Sequence, residues 1–238
     1  AAFPKLTSKS LRALQVEWNL SLVSLTLPSI EKIGSDGNGI NITDCPVLKT
    51  LSIPNLKLLD PQYNRIYIRS TALPNMDVFK NATGTLDNEL VLKDNPDLTS
   101  VTGLKNIISA KRLEVSKCPK LKSLNGINIA EVMEFIHIND NDQLTDVTAV
   151  TDRLKTITWS SAGINFRGNK SLQKISLPKY ENGGFYAWDD PALETIDLPK
   201  LVESSIIEII HNEKLTSVNV PLLQTADAFN VTGVNKPD

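Results

Sequence analysis

Two groups of acidic residues are the first features of this sequence that could carry chemistry. Asp140, Asp142 and Asp146 form one group, and Asp189 with Asp190 forms the other. Two carboxyl groups facing one groove roughly 5 to 9.5 Å apart can hydrolyse a glycosidic bond. A polysaccharide lyase instead combines calcium-binding acids with a nearby basic residue. Whether either enzyme is plausible depends on the elements that position these acids.

Other catalytic and metal-binding patterns are missing from the sequence. His137 and His211 are the two histidines, and neither is in register with a Ser or Cys nucleophile. The sequence has no Cys-x-x-Cys pair, no glycine-rich phosphate-binding loop and no His-x-x-x-His spacing. We therefore predict no catalytic residues, no metal site and no cofactor.

The elements that position these residues are short repeats. Each unit reads apolar-x-apolar-x-x-Asn/Cys-x-x-Leu, as in INITDCPVL from Ile40 and IHINDNDQL from Ile136, and it recurs every 21 to 28 residues. Alternation with period two predicts short strands on successive faces of a coil. We therefore predict an all-β, right-handed β-helix or leucine-rich-repeat-like solenoid of about nine turns. It forms one domain over residues 1–238, with a cap at 1–13, repeats at 14–232 and, at 233–238, the tail of a chain that continues.

A small polar residue or a cysteine lies three residues before the leucine of each unit. An inward Asn at a corner can satisfy unpaired backbone groups and stack on the Asn of the next coil. This predicted ladder comprises Asn19, Cys45, Asn95, Cys118, Asn141, Asn169, Asp190 and Asn212, with Ser70 in an irregular third unit. Asp140 and Asp142 flank the ladder and Asp190 belongs to it, so a structural role for the acids is favoured over catalysis.

Five Asn-x-Ser/Thr sequons occur, at Asn19, Asn41, Asn81, Asn169 and Asn230, and their density suggests secretion. The ladder register turns Asn19 and Asn169 inward, so these two are expected to escape modification. Asn41 and Asn230 alternate outward, and Asn81 lies in a loop. The predicted glycosylation sites are therefore Asn81 first, and then Asn41 and Asn230.

Four aromatic residues fall together in the eighth unit: Tyr180, Phe185, Tyr186 and Trp188. Strand alternation places Tyr186 and Trp188 on one face and Phe185 on the other. If the first pair points outward, it forms a candidate recognition patch. The alternative is that the two rings are simply packed under a loop.

Composition excludes some partners. The net charge of −2 disfavours a nucleic acid or an anionic membrane surface. No apolar run approaches the roughly 20 residues needed to span a bilayer.

Long units such as LVSLTLPSIEKIGSDGNGINITDCPVLKTLSIPNL, VTGLKNIISAKRLEVSKCPKLKSLNGINIAEV and LQKISLPKYENGGFYAWDDPALETIDLPKL can be compared with known families. They resemble receptor L-domain repeats, most closely those of fungal GPI-anchored cell-wall proteins of the sporulation-specific and extracellular-mutant type. The resemblance covers about residues 11 to 232. It implies a secreted, N-glycosylated surface protein needed for cell-wall integrity, with no catalytic residues to transfer. Membrane contact is expected only through a GPI anchor, whose signal is absent from this chain.

The leading prediction is a non-enzymatic extracellular protein of the cell wall or of the outer surface of the plasma membrane. Its role would be structural, adhesive or in recognition, and its partner a wall polysaccharide or a surface protein. Two alternatives remain, a ligand-binding receptor ectodomain and a β-helical carbohydrate-active enzyme.

The two cysteines are predicted to be free thiols. Cys45 and Cys118 lie three coils apart in the predicted register, which separates them by about 14 Å. A disulfide requires Cα atoms within about 7 Å. Alkylation under denaturing, non-reducing conditions should therefore label two thiols per chain by intact mass, and a chain that takes up no label would contradict the register.

Overall fold

The chain forms a parallel β-solenoid of about nine turns, which confirms the fold class predicted from the repeats. The computed structural model describes residues 6–34, 39–59, 64–129, 132–157 and 163–233. Most of the predicted tail, and the first five residues of the predicted cap, lie outside these ranges. Within them the chain is almost entirely strand and turn, because each coil contributes short extended segments separated by corners.

One face of the solenoid is a continuous sheet of ten parallel strands, one from each successive coil. In chain order these strands are β2 Leu14–Glu17, β5 Ile40–Cys45, β8 Ile66–Thr71, β9 Gly84–Lys93, β10 Ile107–Ser116, β11 Phe135–Asn139, β12 Gly163–Arg167, β14 Gly184–Trp188, β16 Glu203–Ile210 and β18 Thr225–Thr232. Every strand pairs in parallel with its counterpart in the next coil, as Ile136 does with Ile164. Side chains at equivalent positions therefore form columns across the sheet.

The other faces of the coils carry shorter sheets. These are the sheet of β1 Ser10–Leu11, β4 Lys32–Ile33 and β7 Leu58–Leu59, the pair β3 Ser24–Thr26 and β6 Thr50–Ser52, and the sheet of β13 Lys174–Ser176, β15 Thr195–Asp197 and β17 Ser217–Asn219. Two 3-10 turns, Asp77–Phe79 and Thr102–Leu104, and the one-turn helix α1 Thr148–Thr151 replace the second strand in the middle coils. The part of the predicted cap that is described thus includes a strand, β1, which pairs with the first coil.

The core is the stack of inward residues from successive coils. In β5, for example, Ile40 and Ile42 are fully buried, and in β14 Phe185 and Ala187 occupy the equivalent positions. The alternation predicted from the repeat is therefore present in three dimensions. Burial of one apolar face on every coil supplies the main favourable free energy of the fold.

A left-handed residue turns the chain at the end of each strand of the large sheet. Eight non-glycine residues in the described ranges have positive φ, and all of them lie at this corner, as Asp94 does at +52°. The seventh coil uses Gly168 there, with φ +67°. Left-handed backbone costs a side-chain-bearing residue roughly 1 to 2 kcal/mol. We therefore expect the residue after each left-handed corner to make contacts that stabilise the corner.

Those contacts come from the ladder. Asn141 is fully buried, and its Nδ2 donates to the carbonyl oxygen of Val115 in the preceding coil at 2.9 Å. Its Oδ1 accepts the backbone N–H of Cys118 at 3.0 Å. The same two hydrogen bonds to the preceding coil, one donated and one accepted, are made by Asn95, Asn169 and Asn212.

The two cysteines replace the amide with a thiol. Both are buried and free. The Sγ of Cys118 lies 3.8 Å from the oxygen of Leu92 in the preceding coil, and the Sγ of Cys45 lies 3.7 Å from that of Val16. Burial raises the pKa of Cys45 and raises the pKa of Cys118 to about 12. Neither thiol is poised for nucleophilic chemistry, because the thiolate is the reactive form.

The structure departs from the predicted ladder at two positions. Asn19 is exposed, and its Nδ2 donates to the carbonyl oxygen of Glu17 in its own coil at 2.7 Å. It lies in the first coil, where the described residues provide no preceding rung. In the third coil the rung is Thr71, whose N–H and hydroxyl both donate to Asn95 Oδ1. Ser70 is instead the left-handed corner residue, which accounts for the slip of one residue in that unit.

Asp190 is the charged member of the ladder. Its Oδ1 accepts the N–H of Asn169 at 2.7 Å, but its buried Oδ2 has no hydrogen-bond partner among the described residues. In the buried asparagine rungs the equivalent atom is an amide nitrogen, which donates to the preceding coil. Burial is the main reason that the pKa of Asp190 rises to about 7.

Replacing Asp190 with Asn should stabilise the fold at alkaline pH. Because the folded pKa is raised above the ordinary value of 3.8, the wild-type chain loses stability as the pH rises from about 4 through 7. The loss is at most roughly 4 kcal/mol. In urea denaturation Asp190→Asn should unfold near the wild-type midpoint at pH 4 and well above it at pH 8.5.

The exposed carboxylate Asp227 provides the matched control. Asp227→Asn should leave the pH dependence of the urea midpoint unchanged. If the urea midpoint of Asp190→Asn changes with pH as the wild-type midpoint does, the prediction that the buried Asp190 ionises in the folded state is contradicted.

Candidate recognition surface

The outward side of the ten-stranded sheet is the largest regular surface of the molecule, and we call it the recognition face. Two outward columns cross it. One runs through Tyr67, His137 and Tyr186, and the other runs through Lys93, Arg167 and Trp188. The rigid register of the strands sets the spacing between neighbouring side chains at about 4.8 Å along each column.

Tyr186 and Trp188 both point outward from β14, since Phe185 and Ala187 between and beside them are fully buried. Their rings meet edge to face with centroids 5.6 Å apart. Both side chains are half-buried because they pack against each other and against their column neighbours. The pair therefore lies on the outward side of the sheet, and each ring is partly exposed.

Charged residues surround the pair. The Arg167 guanidinium lies 5.9 Å from the centre of the Trp188 ring, within reach of a cation–π contact, and its Nε is 3.5 Å from Asp189 Oδ2. Nδ1 of His211 lies 3.3 Å from the other Asp189 oxygen. We call these five residues, Tyr186, Trp188, Arg167, Asp189 and His211, the aromatic patch.

The patch leaves polar groups available. The Arg167 and Asp189 side chains are 55% and 48% exposed. Burial, followed by the charge of Glu208, raises the pKa of Tyr186, so its hydroxyl keeps its proton. The indole N–H of Trp188 is shielded and has no acceptor among the described residues. The patch therefore combines two aromatic rings with the exposed charged groups of Arg167 and Asp189 on an open sheet.

The middle of the recognition face is different, because its paired charges are more deeply buried than those of the aromatic patch. Glu89 is 9% exposed and lies 3.5 Å from Arg65 and 3.6 Å from Arg112. Arg112 also lies 3.4 Å from Glu134 and stacks over the Phe135 ring at 5.9 Å. Side chains that are already paired and partly buried offer few groups to a ligand.

The acidic groups singled out in the sequence do not converge on one groove. Lys170 donates to Asp142 at 2.9 Å. Asp146 accepts from Thr148 in its own coil and from Ser123 in the preceding coil, and these bonds, the side chain of Thr148 first, lower its pKa. Asp190 is sealed inside the ladder. No group of three or more His, Cys, Asp or Glu side chains in the described ranges is arranged to hold a metal ion.

The sequons are placed differently from the prediction at two positions. Asn81 and Asn230 are exposed, and Asn169 is fully buried in the ladder. Asn41 is only 8% exposed, so the expectation that it is accessible is wrong. It does point outward, but its Nδ2 donates to Glu17 in the neighbouring strand, which covers it. Asn19, expected to be inward, is exposed.

The sequence identified the two aromatic rings but did not place Arg167, Asp189 and His211 beside them. A usable signal was present. When the repeats are aligned by their inward residues, Arg167 of the seventh coil aligns with Trp188 of the eighth. These two residues are neighbours in the sheet. The corner residues Asp189 and His211 could not be placed this way, because their direction depends on the left-handed backbone.

The fold and this surface define a parallel β-solenoid that presents a side-chain array on one broad sheet. Protein ecm33 of Aspergillus fumigatus is similar to this chain, with 22% identity over 209 residues, 87% of this chain and 48% of that protein. The chain thus spans about half the length of the curated relative that it matches. No protein-family model matches the chain, so the receptor L-domain resemblance stays a prediction. No solved structure matches it either. None of the described helices is long and apolar enough to cross a membrane.

Proposed function

We propose that this chain is a non-enzymatic, extracellular cell-wall protein whose aromatic patch binds a neutral wall polysaccharide. The edge-to-face pair of Tyr186 and Trp188 on the open sheet carries the proposal. Support for the location comes from the distant similarity to a fungal protein, ecm33, which agrees with the resemblance to extracellular-mutant-type wall proteins.

The chemistry of the patch favours a sugar polymer. The apolar C–H face of a pyranose ring packs on the electron-rich face of an aromatic ring, and its hydroxyls bond to carboxylate and guanidinium groups. Trp188 and Tyr186 provide the rings, and Arg167 and Asp189 provide the hydrogen-bonding groups. The columns continue across several coils, which suits an extended polymer.

The charge of the patch favours a neutral polymer over an acidic one. The patch has one permanent cation, Arg167, which is paired with Asp189, and a second carboxylate, that of Glu208, lies next to Tyr186 in the adjoining strand. A uronic acid or phosphate-bearing chain would meet net repulsion there. The paired charges in the middle of the face add no basic surface.

Co-sedimentation with insoluble neutral wall polysaccharides, such as β-glucan and chitin particles, tests the proposal. The wild-type chain should bind at least one of them without releasing reducing ends. Trp188→Ala should weaken binding roughly tenfold or more, equivalent to about 1.4 kcal/mol. Arg167→Ala should weaken it less, because the stacking surface remains.

Trp18→Ala provides the matched control. Trp18 is an exposed tryptophan seven strands away in the same sheet order, so its loss should not change binding. Equal binding by Trp188→Ala and wild type would overturn the proposal. If the chain binds a wall protein and none of the polysaccharides, the receptor alternative is favoured.

A further inference from the structure

Asp190 is hydrogen-bonded to the coils on both sides of its own. Its Oδ1 accepts the backbone N–H of Asn169 in the seventh coil at 2.7 Å. Its own N–H donates to Oδ1 of Asn212 in the ninth coil at 3.0 Å. The five residues of the aromatic patch come from these same three coils. A change in the bonding of Asp190 therefore acts on the coils that position the patch.

The second oxygen of the Asp190 carboxyl corresponds to the amide nitrogen of the asparagine rungs. In the seventh coil, Nδ2 of Asn169 donates to the carbonyl oxygen of Ile138 at 2.8 Å. In the ninth coil, Nδ2 of Asn212 donates to the carbonyl oxygen of Ala187 at 2.8 Å. The corresponding acceptor for the eighth coil must lie between these two carbonyls in the sheet.

That acceptor is the carbonyl oxygen of Phe166, since Phe166 pairs with Ile138 on one side and with Ala187 on the other. Oδ2 of Asp190 is buried and has no hydrogen-bond partner among the described residues. A protonated carboxyl has one O–H to donate, whereas an ionised carboxyl can only accept. A proton on Oδ2 therefore supplies the one hydrogen bond that the buried asparagine rungs make and an ionised Asp190 lacks.

The surroundings of Asp190 favour this proton. Burial is the main cause of its raised pKa, and the negative charges of Asp189 and Asp140 raise the pKa further, to about 7 in all. The two cationic side chains of the adjoining coils that lie at this corner, Arg167 and His211, are paired with Asp189. The rung is therefore neutral below about pH 7 and becomes a buried anion above it.

We propose that Asp190 is a proton-dependent rung that regulates the aromatic patch. While Asp190 is protonated and donates to Phe166, it holds the seventh and eighth coils in the geometry that binds polysaccharide, and its ionisation distorts that geometry. The cation–π contact between Arg167 and Trp188 spans this junction. Proton and ligand favour the same state, so each strengthens the binding of the other. Only the identity of the ligand rests on the proposed function.

Co-sedimentation of the full chain with β-glucan and chitin particles at pH 5.5 and pH 8.5 tests the coupling. The wild type should bind roughly tenfold more weakly at pH 8.5, a usual strength of coupling between two sites. Asp190→Asn should bind equally at both pH values, because its amide can donate to the Phe166 carbonyl at either pH. Circular dichroism at each pH checks that the chains compared are folded.

Two variants serve as controls for other titrating groups. Histidine is the side chain that ordinarily changes charge in this pH range, and His211 belongs to the patch. His211→Asn should nevertheless keep the wild-type ratio of binding at the two pH values. Asp227→Asn, which changes an exposed carboxylate, should keep it too.

Nitrogen-15 NMR of the Trp188 indole N–H follows the patch without any ligand. The Trp188 resonance is identified by its loss in Trp188→Phe. In the wild type and in His211→Asn it should move as the pH rises through about 7. In Asp190→Asn it should stay fixed, because the neighbouring rung no longer titrates.

Each outcome decides a defined point. Equal binding by the wild type at both pH values overturns the regulation and leaves the polysaccharide function standing. A pH dependence that persists in Asp190→Asn but disappears in His211→Asn also overturns it and assigns the effect to the surface histidine. A wild type that binds no polysaccharide at either pH, but whose Trp188 resonance titrates only while Asp190 is present, overturns the proposed function and supports the proton-dependent rung.

Discussion

The hydrogen bonds from the buried asparagines of the ladder to the backbone of the preceding coil are the interaction on which the rest of this fold depends. A strand that ends in a left-handed corner leaves an N–H and a carbonyl facing the core, where unmade hydrogen bonds cost about 1 to 3 kcal/mol each. Asn141 satisfies one of each with a single amide. Because the bond reaches back one coil, it also fixes the register between coils.

Variation within the ladder shows what the position requires. Cysteine at 45 and 118 has the compact shape of the position, but its sulfur contacts to the preceding coil are long and its shorter ones stay within its own coil, so burial dominates its contribution. Thr71 has a hydroxyl that bonds to the next rung. Asp190 accepts as an amide would but has no hydrogen to donate when it is ionised, which is why its free oxygen and raised pKa occur together. The ladder position thus requires a small side chain more strictly than it requires an amide group.

The same regularity that stabilises the coils makes the outer face useful. Parallel pairing in constant register turns single outward residues into columns, so Arg167 and Trp188 meet although 21 residues separate them in the chain. A rigid sheet positions such groups with little further loss of entropy when a ligand binds. The paired charges around Glu89 and the open aromatic patch show that neighbouring regions of one face can be closed or available, depending on which side chains share a column.

The sequence by itself determined the solenoid, its single core and most of the ladder, because apolar alternation and the spacing of the rungs are local patterns that every coil repeats. It also determined that Tyr186 and Trp188 share a face. Only the tertiary structure decided the exposure of Asn19, the covering of Asn41 by Glu17, the use of Thr71 in place of Ser70, and the approach of Arg167, Asp189 and His211 to the aromatic rings. Each of these depends on which residues of the neighbouring coils lie next to the one in question. The repeat pattern predicts the conformation of a single coil, whereas the burial and the contacts of its residues are set by the neighbouring coils.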